Sequence, residues 1–214
     1  MKTLLCVCAL AGLLTPEFIS AQGVTYVSNL GEPSTGSQAV GSDSWFAVSF
    51  RTGANANGYQ LNSVQLFMDQ ASGNPNGFTI ALYNGNGSFP GDSFGNLIGF
   101  EPLTPGIFTF SNPGIVLPPS TSYFIVATAA APVAQGSYQW RTASGAGEFY
   151  GNGWIRGAAH YYSPNGSSWT VNRESSFQFA INATAVPEPS SLVLLCFSSL
   201  ILGIHLFRRA KARA

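Results

Sequence analysis

Short runs of β-branched and aromatic residues recur along the chain, separated by clusters of glycine, asparagine and proline. This spacing predicts strands joined by tight turns, because the first group of residues favours strands and the second favours turns. The predicted strands are Val24–Val27, Trp45–Phe50, Leu61–Met68, Phe78–Tyr83, Ile107–Phe110, Tyr123–Thr128, Tyr138–Arg141 and Phe177–Thr184. The predicted turns include residues 53–58, 74–77 and 84–87.

Several of these runs alternate, and two examples show the pattern. Val64, Leu66 and Met68 alternate with Ser63, Gln65 and Phe67. A second alternation sets Phe177, Phe179 and Ile181 against Gln178, Ala180 and Asn182. Such a period of two predicts strands with one face on a core and one face in water. The body shows no sustained helical period and no fixed repeat, so we expect an all-β, antiparallel β-sandwich of jelly-roll type, with a barrel as the alternative.

The two ends of the chain differ from this body. Residues 1–21 combine Lys2, an apolar stretch from Leu4 to Leu14 and Ser20-Ala21, which is the pattern of a secretory signal peptide. Residues 22–185 form the predicted exported domain, and residues 186–213 form a separate C-terminal segment.

Without its ends the body is acidic and free of cysteine. Between Gln22 and Val186 it has four arginines, no lysine and seven carboxylates, for a formal charge of −3. Binding to nucleic acid needs clustered cations, so a nucleic-acid partner is disfavoured. The three cysteines, at positions 6, 8 and 196, all lie in the end segments, so the body must fold without disulfides.

The C-terminal segment has three parts in a fixed order. Val186, Pro187, Glu188 and Pro189 come first, and the prolines favour an extended backbone. The 16 residues Leu192–Phe207 follow, and as a helix they would span about 24 Å of a bilayer core that is about 30 Å thick. The basic residues Arg208, Arg209, Lys211 and Arg213 then predict a stop signal on the cytoplasmic side. A buried C-terminal core helix is the alternative.

This three-part order resembles the PEP-CTERM sorting signal of Gram-negative bacteria. The resemblance implies that the chain is exported through the inner membrane, anchored there for a time, and processed near Pro187-Glu188-Pro189 by an exosortase, a membrane-embedded cysteine protease. The mature protein is then expected at the cell surface or in the extracellular matrix.

The body separately resembles the choice-of-anchor R domain. The matching segments are Val27–Leu30, Trp45–Gly53, Gly58–Val64, Ala81–Tyr83, Phe108–Phe110, Leu117–Tyr123 and Tyr138–Trp140. They consist of packing and turn residues. The resemblance therefore implies a surface protein but carries no catalytic residue.

Motifs for catalysis or for a cofactor are not recognisable in the body. His160 is its one histidine, so a zinc site rich in histidine cannot be built, and we expect His160 to be a strand or loop residue without a catalytic role. Oxygen donors at Asp69, Asn74 and Asn76, or at Asn84, Asn86 and Asp92, lack calcium-loop spacing, so ordinary turns are the favoured interpretation. We therefore expect no cofactor, no metal and no enzyme activity.

Aromatic residues are concentrated between positions 140 and 169. Packing in the core and loops is the favoured interpretation. Trp154 and Trp169 are the expected exceptions, because Gly, Asn or Ser flank them, and with Tyr161 they are the candidate glycan-binding residues.

Two functions follow from these features. The favoured one is a non-enzymatic surface or matrix protein associated with exopolysaccharide. The alternative is a carbohydrate-binding module or a hydrolase acting on such polymers.

Overall fold

The predicted strands and turns assemble into two antiparallel sheets that pack face to face as a sandwich. The computed structural model describes residues 23–144, 148–149 and 151–187. The strands are β1 (Val24–Ser28), β2 (Ser34–Val40), β3 (Trp45–Arg51), β4 (Tyr59–Gly73), β5 (Thr79–Asn86), β6 (Phe89–Leu97), β7 (Gly106–Phe110), β8 (Val116–Leu117), β9 (Ser122–Thr128), β10 (Gly136–Ser144), β11 (Glu148–Phe149), β12 (Ile155–Ser163), β13 (Thr170–Asn172), β14 (Ser175–Phe177) and β15 (Phe179–Ala185).

Eight strands form one sheet and seven form the other. The eight-stranded sheet has the order β1-β15-β4-β10-β14, with β2 beside β10 and with β7 and β8 beside β4. The seven-stranded sheet has the order β11-β12-β3-β9-β5-β6, with β13 beside β12. Within each sheet every pairing of the described strands is antiparallel, which confirms the predicted sandwich class.

The alternation predicted for β4 is present. Val64, Leu66 and Met68 are fully buried, whereas the residues between them are half-buried on the opposite face. The second predicted alternation is only partly right. Phe177, Phe179 and Ile181 are buried as predicted, but Gln178, Ala180 and Asn182 are buried too. The β1–β2 connection covers Gln178, and the side chains of Thr25, Ser63 and Gln65 surround Asn182.

Aromatic rings fill the space between the sheets. Trp140 of the eight-stranded sheet stacks on Phe177 at a ring distance of 4.3 Å, and Phe46 of the seven-stranded sheet meets Phe177 edge-on at 5.1 Å. The indole N–H of Trp140 donates to the carbonyl of Gln178 at 3.0 Å, so its polar atom is satisfied in the core.

Three long strands were not predicted, and composition explains each omission. Strand β2 is mostly Ser, Thr, Gly and Gln, and β6 includes Pro90, Gly91 and Gly95. Their composition is typical of turns. They form strands because pairing with β10 and β5, rather than apolar content, stabilises them. Strand β12 was missed because of Gly157 and two alanines. The predicted turn at 84–87 is displaced, since β5 continues to Asn86 and the turn is formed by Gly87 and Ser88.

Among the described residues, no helix is both long enough and apolar enough to cross a bilayer. The predicted signal peptide (1–21) and the predicted membrane segment Leu192–Phe207 lie outside the described residues.

We predict that Trp140→Ala lowers the free energy of unfolding by about 3–5 kcal/mol, because it removes the stack on Phe177 and leaves a cavity. Trp140→Phe retains a ring but loses the N–H donor, so we expect a smaller loss of about 1 kcal/mol. Phe100→Ala is the matched control, since Phe100 is 88% exposed. Urea unfolding followed by circular dichroism measures all three, and an equal loss in Trp140→Ala and Phe100→Ala would contradict the core assignment.

Candidate functional site

The structure divides the three candidate glycan-binding residues between two environments. Trp154 is fully buried, stacked on Tyr26 at 4.7 Å and on Phe50 at 5.9 Å. Tyr59 meets it edge-on at 4.9 Å. Trp154 therefore does not fit the expectation that it stands apart from core packing, because a ring enclosed on all these sides cannot stack on a sugar.

Tyr161 and Trp169, in contrast, lie together on the outer face of the seven-stranded sheet. With Trp45 and Tyr83 they are half-buried and pack around a second, smaller apolar cluster whose buried members are Ala47, Phe124 and Val126. We call the patch formed by the half-buried Trp45, Tyr83, Tyr161 and Trp169, together with the buried Phe124 that they pack around, the aromatic face. It lies on the opposite side of the sheet from the main core.

Strand register explains how residues distant in sequence meet on this face. Tyr161 pairs with Ala47, Ala47 pairs with Val126, and Val126 pairs with Ala81, so one row crosses β12, β3, β9 and β5. In the next row, Phe124 pairs with Tyr83. Tyr161 packs edge-on against Phe124 at 5.1 Å and against Phe89 at 6.0 Å. Small side chains thus form a floor between larger rings.

A hydrogen-bonded loop fixes the position of Trp169. The hydroxyl of Ser163 accepts from the backbone N–H of Asn165 at 3.3 Å and of Gly166 at 2.9 Å. The side-chain oxygen of Asn165 in turn accepts from the backbone N–H groups of Ser167 and Ser168. Gly166 has a positive φ of 74°, and a side chain there would collide with the ring of Trp45. The loop is therefore ordered against the aromatic face that Trp169 completes.

Trp45, Tyr83 and Phe124 were missed by the analysis of the sequence. A signal was present, because the runs Trp45–Val48 and Tyr123–Val126 are apolar at consecutive positions rather than at alternate ones. Such a run indicates a strand covered on both faces. One face of each strand packs on the main core, and the opposite face packs in the aromatic face.

His160 lies in β12 with its ring directed into the sandwich. It is 4% exposed, its Nδ1 lies 2.9 Å from the carbonyl of Ser175, and its ring contacts Phe46 and Phe177 edge-on. Since a carbonyl only accepts, this bond forms in the tautomer that carries the proton on Nδ1. Burial lowers the pKa of His160 below its ordinary value of 6.5, and the bond to Ser175 opposes this shift in part. His160 is therefore a neutral packing residue in a strand.

Three of the candidate oxygen donors for calcium do not lie in open loops. Asp69 pairs with Arg141, whose guanidinium lies 4.0 Å above the ring of Phe67. Asn84 and Asn86 belong to strand β5 rather than to a loop. Within residues 23–144, 148–149 and 151–187, no group of three or more His, Cys, Asp or Glu side chains could hold a metal ion.

The described chain ends inside the predicted sorting motif. The N–H of Val186 donates to the carbonyl of Gly58 at 3.0 Å. The side-chain amide of Asn55 donates to the carbonyl of Val186 at 3.0 Å, and that of Asn57 donates to the carbonyl of Pro187 at 2.9 Å. Three hydrogen bonds thus hold the backbone of Val186 and Pro187 against the loop before β4. Glu188, Pro189, Arg208, Arg209, Lys211 and Arg213 lie outside the described residues.

Comparison of the chain with protein-family models, with curated proteins and with solved structures finds no match.

We predict that the free energy of unfolding decreases as the pH falls from about 6.5 towards 5. In this window the unfolded chain binds a proton at His160, whereas the folded chain, with its lowered pKa, does not. Stability from this group is complete above pH 6.5 and is lost as the pH falls through the lower pKa of the folded state. Urea midpoints across this range measure the effect. His160→Gln should flatten the profile, and an unchanged slope in that variant would contradict the assignment.

Proposed function

We propose that this chain is an exported, non-catalytic protein of the cell surface or extracellular matrix that associates with exopolysaccharide. The aromatic face is the observation that supports this proposal best. Tyr and Trp rings provide broad, rigid contact surfaces at little cost in side-chain entropy, and their polar atoms can also hydrogen-bond. A sugar ring presents both C–H groups and hydroxyls, so it matches a surface of this kind.

The construction of the aromatic face also suits a polymer. Its members come from β3, β5, β9 and β12 and from the segment that precedes β13, so it extends across a sheet rather than enclosing a small ligand. The paired strands hold the backbone below the rings in place, and a preformed surface loses little freedom when it binds. Tyr161 and Trp169 are the proposed contact residues.

In this proposal, residues 1–21 are the signal peptide, the body is a sandwich with jelly-roll connectivity, and Leu192–Phe207 is a transient membrane helix. The protein is sorted by an exosortase-type system and reaches the surface of a Gram-negative bacterium. The contacts of Val186 and Pro187 with Asn55, Asn57 and Gly58 support a body that extends as far as the first residues of the sorting motif.

We predict that Trp169→Ala and Tyr161→Ala each weaken binding of the protein to polysaccharide by about tenfold, or about 1.4 kcal/mol, because each removes a stacking surface. A glycan array identifies the polymer, and titration with that polymer gives the dissociation constants. Phe100→Ala is the control, since Phe100 is an exposed ring outside the aromatic face. Full binding by the Trp169→Ala/Tyr161→Ala double variant would remove the aromatic face from this role, and failure of the wild-type protein on every glycan would refute the association itself.

We predict that Glu188→Ala leaves the full-length protein in the inner membrane, because the exosortase then no longer recognises the Pro-Glu-Pro motif. Cell fractionation followed by immunoblotting measures the fraction retained. Glu174→Ala, which changes an exposed glutamate of the body, is the control and should be released normally. Normal release of Glu188→Ala would argue against exosortase processing and would leave the sugar-binding proposal intact.

A further inference from the structure

A polar cleft of ≈390 Å³ lies on the eight-stranded sheet, away from the aromatic face. Its lining includes Thr25, Ser63, Gln65, Thr109, Ser111 and Asn182. Register brings these residues together from four neighbouring segments of chain. Thr25 pairs with Asn182 and Asn182 pairs with Ser63, so one row crosses β1, β15 and β4, while Gln65 pairs with Thr109 across β4 and β7.

A hydrogen-bond network orders the side chains of this cleft. The hydroxyl of Thr25 donates to Oδ1 of Asn182 at 2.6 Å, and Nδ2 of Asn182 donates to Ser63 at 3.0 Å and to Oε1 of Gln65 at 3.3 Å. Nε2 of Gln65 donates to the hydroxyl of Thr109 at 3.4 Å. Asn182 is 8% exposed and forms the centre of the network.

The network leaves the cleft able to bind a ligand. A hydroxyl that accepts one hydrogen bond still has its own hydrogen to donate, which applies to Ser63 and Thr109. The side chains that line the cleft are all uncharged. Because the amides are already held by their neighbours, a ligand would meet donors and acceptors in place and would pay little to order them.

We infer that this cleft is a second saccharide-binding site, which takes a segment of a neutral, hydroxyl-rich polysaccharide and makes the domain bivalent. A neutral sugar offers the alternating donors and acceptors that hydroxyl and amide groups can pair with, and it requires no counter-charge. The inference rests on the proposed function, because it adds a second contact with the same class of polymer.

A peptide fits the cleft less well. Extended peptides are commonly bound by pairing with an exposed sheet edge or by pockets for apolar side chains. The cleft lies on the face of β1, β15, β4 and β7, whose backbones are paired with one another, and hydroxyl and amide side chains line it.

The cleft and the aromatic face lie on opposite sides of the sandwich. The aromatic face belongs to the seven-stranded sheet and the cleft belongs to the eight-stranded sheet, so the sandwich core separates them. One polymer chain on each face could be bound at the same time. A domain of this kind would cross-link polysaccharide rather than only coat it.

The test uses native gels that contain dextran, galactomannan or hydroxyethylcellulose, with a fourth gel that contains gelatin. The full chain is run in an amine-oxide detergent, which carries no sugar to compete. We expect Ser63→Ala/Gln65→Ala to reduce retardation at least threefold in the gel that retards the wild type most. Combining these two substitutions with Trp169→Ala/Tyr161→Ala should abolish the retardation that remains in the aromatic-face variant. Light scattering from wild-type protein mixed with the same polymer should rise, and each single-face variant should lose that rise.

Thr109→Leu is the second cleft variant, since Thr109 is exposed and its replacement removes a hydroxyl with little risk to folding. Gln135→Ala is the matched control, an exposed glutamine in the turn between β9 and β10. Wild-type retardation and scattering by both cleft variants would overturn the second site while leaving the aromatic face in place. Wild-type behaviour of Trp169→Ala/Tyr161→Ala would instead refute the aromatic face alone. Retardation by gelatin that the cleft variants abolish would assign the cleft to a peptide and overturn the inference.

Discussion

The fold depends on aromatic packing between two sheets in a body that has no cysteine to hold it together. Two stacks bridge the layers. Trp154 brings Tyr26 of β1 together with Phe50 of β3, and Trp140 of β10 stacks on Phe177, which Phe46 of β3 contacts edge-on. Large rings bury much apolar area for each residue that is ordered, so a chain with many glycines and only 8% charged residues can still form a stable interior.

In the eight-stranded sheet, Gln178 lies at the point where the chain leaves one partner strand and pairs with another. Gln178 separates β14, which pairs with β10, from β15, which pairs with β4. Its backbone N–H donates to Arg141, its carbonyl accepts from Phe67 and from the indole of Trp140, and its side chain donates to the carbonyl of Glu32. Asn29 supports the same point by bonding to the backbone of both Phe177 and Phe179. A buried break in a strand is tolerated because the backbone N–H and the carbonyl of Gln178 are both hydrogen-bonded.

The sequence predicted the layers of this molecule better than its site. Alternation in β4 identified the buried face correctly, since the pattern of one strand depends on burial alone. Trp154 and Trp169 have similar small, polar neighbours in sequence, yet one is enclosed by Tyr26, Phe50 and Tyr59 and the other lies on the aromatic face. Strand pairing between segments more than a hundred residues apart in the sequence sets that difference, and local composition does not predict such pairing. Strand β2 was not predicted for the same reason, because its pairing with the distant strand β10 stabilises it.

The arrangement of charges connects the fold with the kind of partner it suits. Arg156 is fully buried and bonds to Glu32 at 2.9 Å, and Arg141 pairs with Asp69 and lies over Phe67. Two of the four arginines of the body are thus engaged with its own carboxylates, and the two surfaces proposed for contact are the aromatic face and the cleft of hydroxyls and amides. Binding through such groups changes little with ionic strength, unlike binding to a polyanion, in which counterion release makes affinity fall steeply with salt. In the proposed role outside the cell, where salt varies, binding to a neutral polymer would persist because the charged side chains take no part in it.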